Sequence, residues 1–199
     1  RLEEPVGGYL PYFDMIETSV QRLDEYIKNI IGYYKNNRIE ITLESINIQQ
    51  LIATCISMQS QHDAASWEID IQGDVPLITD RQKLEIIFNN LLSNALRYHQ
   101  PEVPLVIRIE VKLDESWVDI WVKDNGIGIS SAEIDKIFKM FYRATNLNPG
   151  SGIGLYITRD AVVRLNGHID VSSEPQKGSV FHVRFPNRSL PDHLQHNIQ

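Results

Sequence analysis

The chain has 199 residues, 42% of them hydrophobic, with a formal charge of −7 and a pI near 5.3. That length and apolar content suffice for one ordinary domain with a smaller appendage and exclude disorder as the default state. The surplus of carboxylates excludes a nucleic-acid binder, which needs a basic face, and a single cysteine, Cys55, excludes an internal disulfide or a cysteine-rich zinc site.

No stretch approaches the roughly 20 apolar residues that a bilayer crossing needs. The expectation is a cytoplasmic fragment, attached to a membrane only through upstream parts of a parent protein. Between Phe13 and about Asn36, residues Ile16, Val20, Leu23, Ile27, Ile30 and Tyr34 alternate spacings of four and three, a heptad seam. So narrow a stripe, flanked by Glu17, Arg22, Asp24, Glu25 and Lys28, suits packing on other helices, and it predicts a homodimer through this N-terminal helix. The alternative is a monomer whose helix folds back on its own domain.

Lys35 to Arg38 ends that helix, and Ile39–Leu43 reads as a short strand, which puts a domain boundary between 38 and 39. The organisation is then a helical segment at 1–38, a domain at 39–187 and a polar, frayed tail at 188–199. Within the domain, Ile48 to about Gln61 predicts a helix, Trp67–Ile71 a strand, and Asp80 caps a helix running to about Tyr98. Strands Leu105–Leu113 and Trp117–Lys123 flank a turn at Asp114 and Glu115. A short helix begins near Ser131, and another runs from about Gly154 to the stop at Asn166 and Gly167. Ile169–Ser172 and Val180–Phe185 close the domain as strands about a Pro175–Gly178 turn. Consecutive antiparallel strands, with helices enough to cover one sheet face, predict an α/β (α+β) two-layer sandwich.

Three stretches carry chemistry. Asn90, Asn94 and Arg97 stand at i, i+4 and i+7, on one helical face, with Tyr98 beside them, while Ile87, Leu91 and Leu92 can face a core. Amide oxygens are hard ligands for magnesium, and Arg can hold phosphate oxygens; a solvated helix face is the plainer reading. Asp124-Asn125-Gly126-Ile127-Gly128 follows a strand. Its carboxylate can accept from an exocyclic amine and its glycines can admit a flat ring, or the stretch is an ordinary turn. Gly150-Ser151-Gly152-Ile153-Gly154-Leu155 leads into a helix whose N-terminal N–H groups suit phosphate, or it is a linker; it lacks the Gly-Lys-Ser/Thr of a P-loop. Between the last two lies Ile137–Arg143 and a polar run to Pro149, which reads as a mobile flap with an aromatic hinge.

In this order and at this spacing, the four elements resemble the N, G1, F and G2 boxes of the histidine kinase branch of the gyrase, Hsp90, histidine kinase and MutL ATPase superfamily. The resemblance covers about Asn47 to Pro186. It implies the Bergerat fold, with ATP between the helical layer and a lid and with Mg2+ as cofactor. It implies that Asp124 holds the adenine amine, with Gly126, Gly128 and Ile129 beside the ring. Asn94 would ligate magnesium, Asn90 would lie next to the phosphates, and Arg97 and Tyr98 would stand for the family's usual Lys-Tyr pair. Arg143 would reach the terminal phosphate from the lid, where Phe138, Gly152, Ile153, Gly154 and Leu155 also belong, and Ser179 falls in the family's last glycine-containing box. Asn90, Arg97 and Arg143 are the catalytic candidates. Hydrolytic relatives carry a glutamate where this chain has Asn90, and asparagine cannot act as that base.

The implied activity is that of a two-component sensor histidine kinase, which phosphorylates a histidine and passes the phosphate to an aspartate on a response-regulator receiver domain. None of the six histidines stands in the family's His-x-Leu-x-x-Pro pattern; Leu2 and Pro5 would place the acceptor before Arg1. His99, His168 and His182 read as structural or solvated. Two rival readings are a non-catalytic, nucleotide-gated dimeric module and a protein-serine kinase of the same superfamily.

Overall fold

The computed structural model describes residues 40–59, 62–144 and 151–189, and scattered positions between 12 and 27. The chain forms β1 (Glu44–Ile46), α1 (Ile48–Ser57), a 3-10 turn (His62–Ala64), β2 (Ala65–Gln72), β3 (Leu77–Thr79), α2 (Arg81–Arg97), β4 (Leu105–Leu113) and β5 (Trp117–Asp124). It continues with α3 (Ser131–Ile134), α4 (Gly154–Arg164), β6 (His168–Glu174) and β7 (Gly178–Pro186). Five strands build one mixed sheet in the order β2-β4-β5-β7-β6, with β2 parallel to β4 and every other pair antiparallel. β1 and β3 form a separate antiparallel ribbon.

Period-two alternation dictates which sheet face is covered. Ile107, Ile109 and Val111 of β4, Val118, Ile120 and Val122 of β5, and Phe181, Val183 and Phe185 of β7 point inward and are buried. Against them pack Leu84, Ile87, Phe88, Leu91 and Leu92 of α2, Leu51 and Ile52 of α1, and Ala161 and Val162 of α4, in one continuous core. The alternate residues form a polar outer face. There Arg108 pairs with Glu68 at 2.6 Å and Lys123 with Glu110 at 2.6 Å, while His182 meets Asp119 at 2.6 Å and stacks on Trp121. The two-layer sandwich expected from the sequence is the fold observed.

Local chemistry sets the element ends. Asn47 caps α1 by accepting the Gln50 N–H at 2.9 Å, and Asp80 caps α2 by accepting the Lys83 N–H at 2.9 Å. Of the strand expected at 39–43, Ile39 lies outside the described residues and 40–43 form no ladder; the strand is Glu44–Ile46, and the Thr42 N–H donates to the second Asp80 oxygen at 2.9 Å. The helix expected to reach Gln61 ends at Ser57, and the strand at 67–71 extends to Ala65–Gln72. β3 went unforeseen because its three residues, Leu77–Thr79, are all buried and show no alternation. Past Pro186 the chain is not frayed at once. Asn187 accepts the Ile78 N–H at 3.0 Å and donates to the Pro76 and Asp114 carbonyls at 3.0 and 2.8 Å, lacing three segments together.

In the N-terminal segment, Ile16, Val20, Leu23 and Ile27 are helical and exposed. Ile30, Tyr34, Leu2, Pro5, the 35–38 stretch, the lid run at 145–150 and the tail from 190 lie outside the described residues. Among the described residues no helix is long and apolar enough to cross a membrane.

Candidate functional site

A cavity of about 420 Å³ opens between α2, the end of β5 and the segment leading into α4. Asn90, Asn94, Arg97 and Tyr98 line one wall, and Asp124, Gly128, Ile129 and Ser179 close one end. Arg143, Gly152, Gly154 and Leu155 bound the other side. Twelve sequence-predicted residues, scattered over nearly ninety positions, thus converge on one space.

Asp124 ends β5 and is half-buried. Burial raises its carboxyl above the ordinary carboxylate range, opposed by the backbone N–H groups of Gly126 and Ser179, which donate to it. The Gly126 bond is 2.9 Å. The cavity thus holds a positioned acceptor. Gly128 has φ +68 and its backbone packs on Glu174, so that a Cβ would lie 2.0 Å from the Glu174 oxygen.

At the opposite end α4 begins. Its N-cap, Ile153, offers no side-chain cap, and no acidic residue stands in its first turn. A helix N-terminus without a side-chain cap or an acidic first turn suits an anion, and this helix is eleven residues long. A Cβ at Gly154 would meet Asn90 Oδ1 at 3.1 Å, so glycine is what lets the asparagine approach this helix end. Gly152, with φ +67, packs on the Tyr142 carbonyl. In the segment before it, Phe141 holds φ +64, a conformation bulky side chains rarely adopt, and the Tyr142 hydroxyl donates to Glu133.

Three expected contacts fall elsewhere. Gly126 does not line the cavity: it backs onto α2, where a Cβ would be 2.4 Å from the Tyr98 carbonyl, so close packing explains the glycine. Phe138 packs against the core and Ile153 is fully buried at the start of α4; neither belongs to the lining. Asn89 and Ser93 also line the cavity, and their four-residue spacing on α2 is a legible signal. Gln59 and Phe181 also line the cavity and carried no such signal, because they arrive from separate elements. His99 Nδ1 donates to the Leu96 carbonyl at 2.7 Å, and among the described residues no histidine lines the cavity. Cys55 is buried in the core, its thiol raised to about 11 by burial and then by Glu85.

The donor set fits magnesium only with help from a ligand. Among the described residues no group of three or more His, Cys, Asp or Glu could hold a metal, whereas amide oxygens together with phosphates and waters suit an octahedral Mg2+.

Residues 79–189, more than half of the chain, match the family described as histidine kinase-, DNA gyrase B-, and HSP90-like ATPase. The signal transduction histidine-protein kinase AfsQ2 of Streptomyces coelicolor is 27% identical over 186 residues, 91% of this chain and 34% of that protein. The aerobic respiration control sensor protein ArcB of Escherichia coli is 30% identical over 183 residues, 85% of this chain and 23% of that protein. The chain thus spans about a third or less of these relatives. Full-length ShkA in complex with AMPPNP superposes with a TM-score of 0.73 at 19% identity, over 91% of this chain and 39% of that one, a likeness of fold.

Proposed function

The chain belongs to the histidine kinase-, DNA gyrase B- and HSP90-like ATPase family, and from that premise we propose that its cavity binds ATP with magnesium to phosphorylate a histidine of the parent sensor kinase. The phosphate then passes to an aspartate on a response-regulator receiver domain. One observation carries the reading: a half-buried carboxylate beside the end of α2, an amide stripe along that helix and a helix N-terminus without a side-chain cap, close to Asn90, all border a single cavity. That polarity matches a nucleotide, with an exocyclic amine at one end and a polyanion at the other.

Each residue then has a physical task. Asp124 accepts from the adenine amine, and Ile129 and Phe181 offer apolar surface to the base. Arg97 and Arg143 neutralise phosphate charge, and the N–H groups opening α4 receive phosphate oxygens. Asn94 would hold magnesium through its amide oxygen, with Asn90 adjacent; when bound, the ion supplies charge neutralisation and alignment of the triphosphate. Asn90 has no carboxylate with which to deprotonate water, which favours transfer to a protein nucleophile over hydrolysis. The acceptor histidine must come from outside the cavity. The exposed row Ile16, Val20, Leu23 and Ile27 supports a homodimer that covers this seam and presents such a helix.

Calorimetry with ATP and magnesium, followed by incorporation of γ-labelled phosphate into the parent protein, tests the proposal. The expected product is an acid-labile phosphohistidine. Failure to take up adenine nucleotide would refute the reading of the cavity, and phosphoserine in place of phosphohistidine would refute the acceptor.

A further inference from the structure

Gln100 lies just beyond the C-terminal end of α2 and its side-chain amide is committed to main-chain carbonyls. Nε2 is 3.0 Å from the Asn125 oxygen, 2.9 Å from that of Gly126 and 3.2 Å from that of Gln176. Three acceptors around one NH2 group fix the amide's orientation, since a flipped Gln100 would set its own oxygen against all of them. The contacts join two segments that the backbone also joins. The Gln176 N–H donates to the Ile127 carbonyl at 2.8 Å, and the Ile127 N–H to the Tyr98 carbonyl at 2.9 Å. Gln176 itself holds φ +64, an uncommon conformation that this net of bonds maintains.

The turn so gripped follows Asp124 directly. Gly126 donates to the Asp124 carboxylate at 2.9 Å, so the carboxylate is aimed by a residue whose carbonyl Gln100 holds. Asn125 is tied from the other side, accepting the Val106 N–H at 2.9 Å and donating to the Pro104 carbonyl at 2.9 Å. Gln100 is absent from the cavity lining. We propose that Gln100 is a positioning residue for base selection: it sets the 125–128 turn against the end of α2, and through Gly126 it holds Asp124 at the attitude that distinguishes an adenine from a hypoxanthine. This rests on the reading of the cavity as an ATP site.

The test compares the full chain with Gln100→Glu, which keeps the shape and turns the donor toward repulsion from the three carbonyls, and with the milder Gln100→Ala. Calorimetry gives the affinities for ATP and for inosine triphosphate, and amide hydrogen exchange in the nucleotide-free protein gives the protection of Gly126 and Ile127. Both variants should lose about tenfold in the preference for ATP over inosine triphosphate, while inosine triphosphate itself binds nearly as before. Exchange at Gly126 and Ile127 should quicken more than at the buried β4 amides. Unchanged preference and unchanged protection in Gln100→Ala would overturn the inference and leave the ATP site standing. An equal loss for both nucleotides would also overturn it, since that marks a merely structural role. Should the unaltered protein bind no adenine nucleotide, the reading of the cavity falls and the positioning role falls with it. If Gln100→Glu does not fold, the alanine variant alone decides.

Discussion

Asp124→Asn separates recognition from stability, because the carboxylate serves one at the expense of the other. The substitution is isosteric, so a single amide oxygen can still accept the Gly126 N–H now bound at 2.9 Å. The other position becomes an NH2 group, and an adenine amine arriving there meets a donor where it needs an acceptor. Hydrogen bonds to charged groups contribute about 1.5–3 kcal/mol, which corresponds to a roughly ten- to hundred-and-fifty-fold loss of ATP affinity. Stability moves the other way with pH. Burial raises the Asp124 carboxyl above its ordinary 3.8, so the folded state keeps the proton to higher pH than the unfolded chain does. The group's contribution to stability is full below 3.8 and is lost as pH rises through the folded value.

Asparagine carries no charge at any pH, and whatever it loses at the Gly126 and Ser179 N–H groups is a pH-independent offset. The Tm of Asp124→Asn minus that of the unaltered protein should therefore shift in the variant's favour between about pH 3.5 and about pH 7. Calorimetric titration with ATP gives the first quantity and thermal melts across that range give the second. An affinity within threefold of the unaltered protein, or a Tm difference that does not change with pH, would refute the reasoning.

Gly128→Ala should destabilise the domain by at least about 2 kcal/mol in urea denaturation, from the left-handed backbone together with the clash, because its Cβ would stand 2.0 Å from the Glu174 oxygen at φ +68. Asp80→Ala removes the α2 cap and orphans the Thr42 N–H as well; the expected loss is about 2–3 kcal/mol, against roughly 1 for a simple cap, read from the same denaturation. Asn94→Ala should weaken ATP binding by about tenfold when magnesium is present and little when it is chelated, a comparison calorimetry makes directly. Cys55, with its thiol raised to about 11 in the core, should resist iodoacetamide near neutral pH until denaturant unfolds the chain; rapid labelling of the native protein would contradict its placement.

Most of the secondary structure was legible because amphipathic period and capping residues agreed. Asp80, Asn90, Asn94 and Arg97 announce one helix with a capped start and a polar stripe, β4 alternates throughout its length, and β5 does so up to Lys123. Short buried segments defeat the same logic: Leu77–Thr79 has no exposed residue with which to alternate. At 40–43 the expected strand failed for a different reason. Its pattern suits a strand, yet Thr42 spends its N–H on Asp80, a tertiary bond that no local pattern encodes.

The candidate site was legible to the extent that its side chains are chemically unusual for their position. A carboxylate ending an apolar strand, asparagines at helical spacing and glycines before a helix each stand out in the string. Gln100 does not, and the reason is physical. Its partners are backbone carbonyls of residues 125, 126 and 176, and every residue has a carbonyl. The same holds for Asn187, whose amide joins Ile78, Pro76 and Asp114. Groups that meet a ligand are constrained in type, so their identity betrays them. Groups that hold the ligand's contacts in place are constrained chiefly in direction, and direction exists only once the sheet has brought β5, the β6–β7 turn and the end of α2 to one point. Gly126 shows how the two kinds of constraint mislead when confused: read as room for a flat ring, it is instead room for the Tyr98 carbonyl.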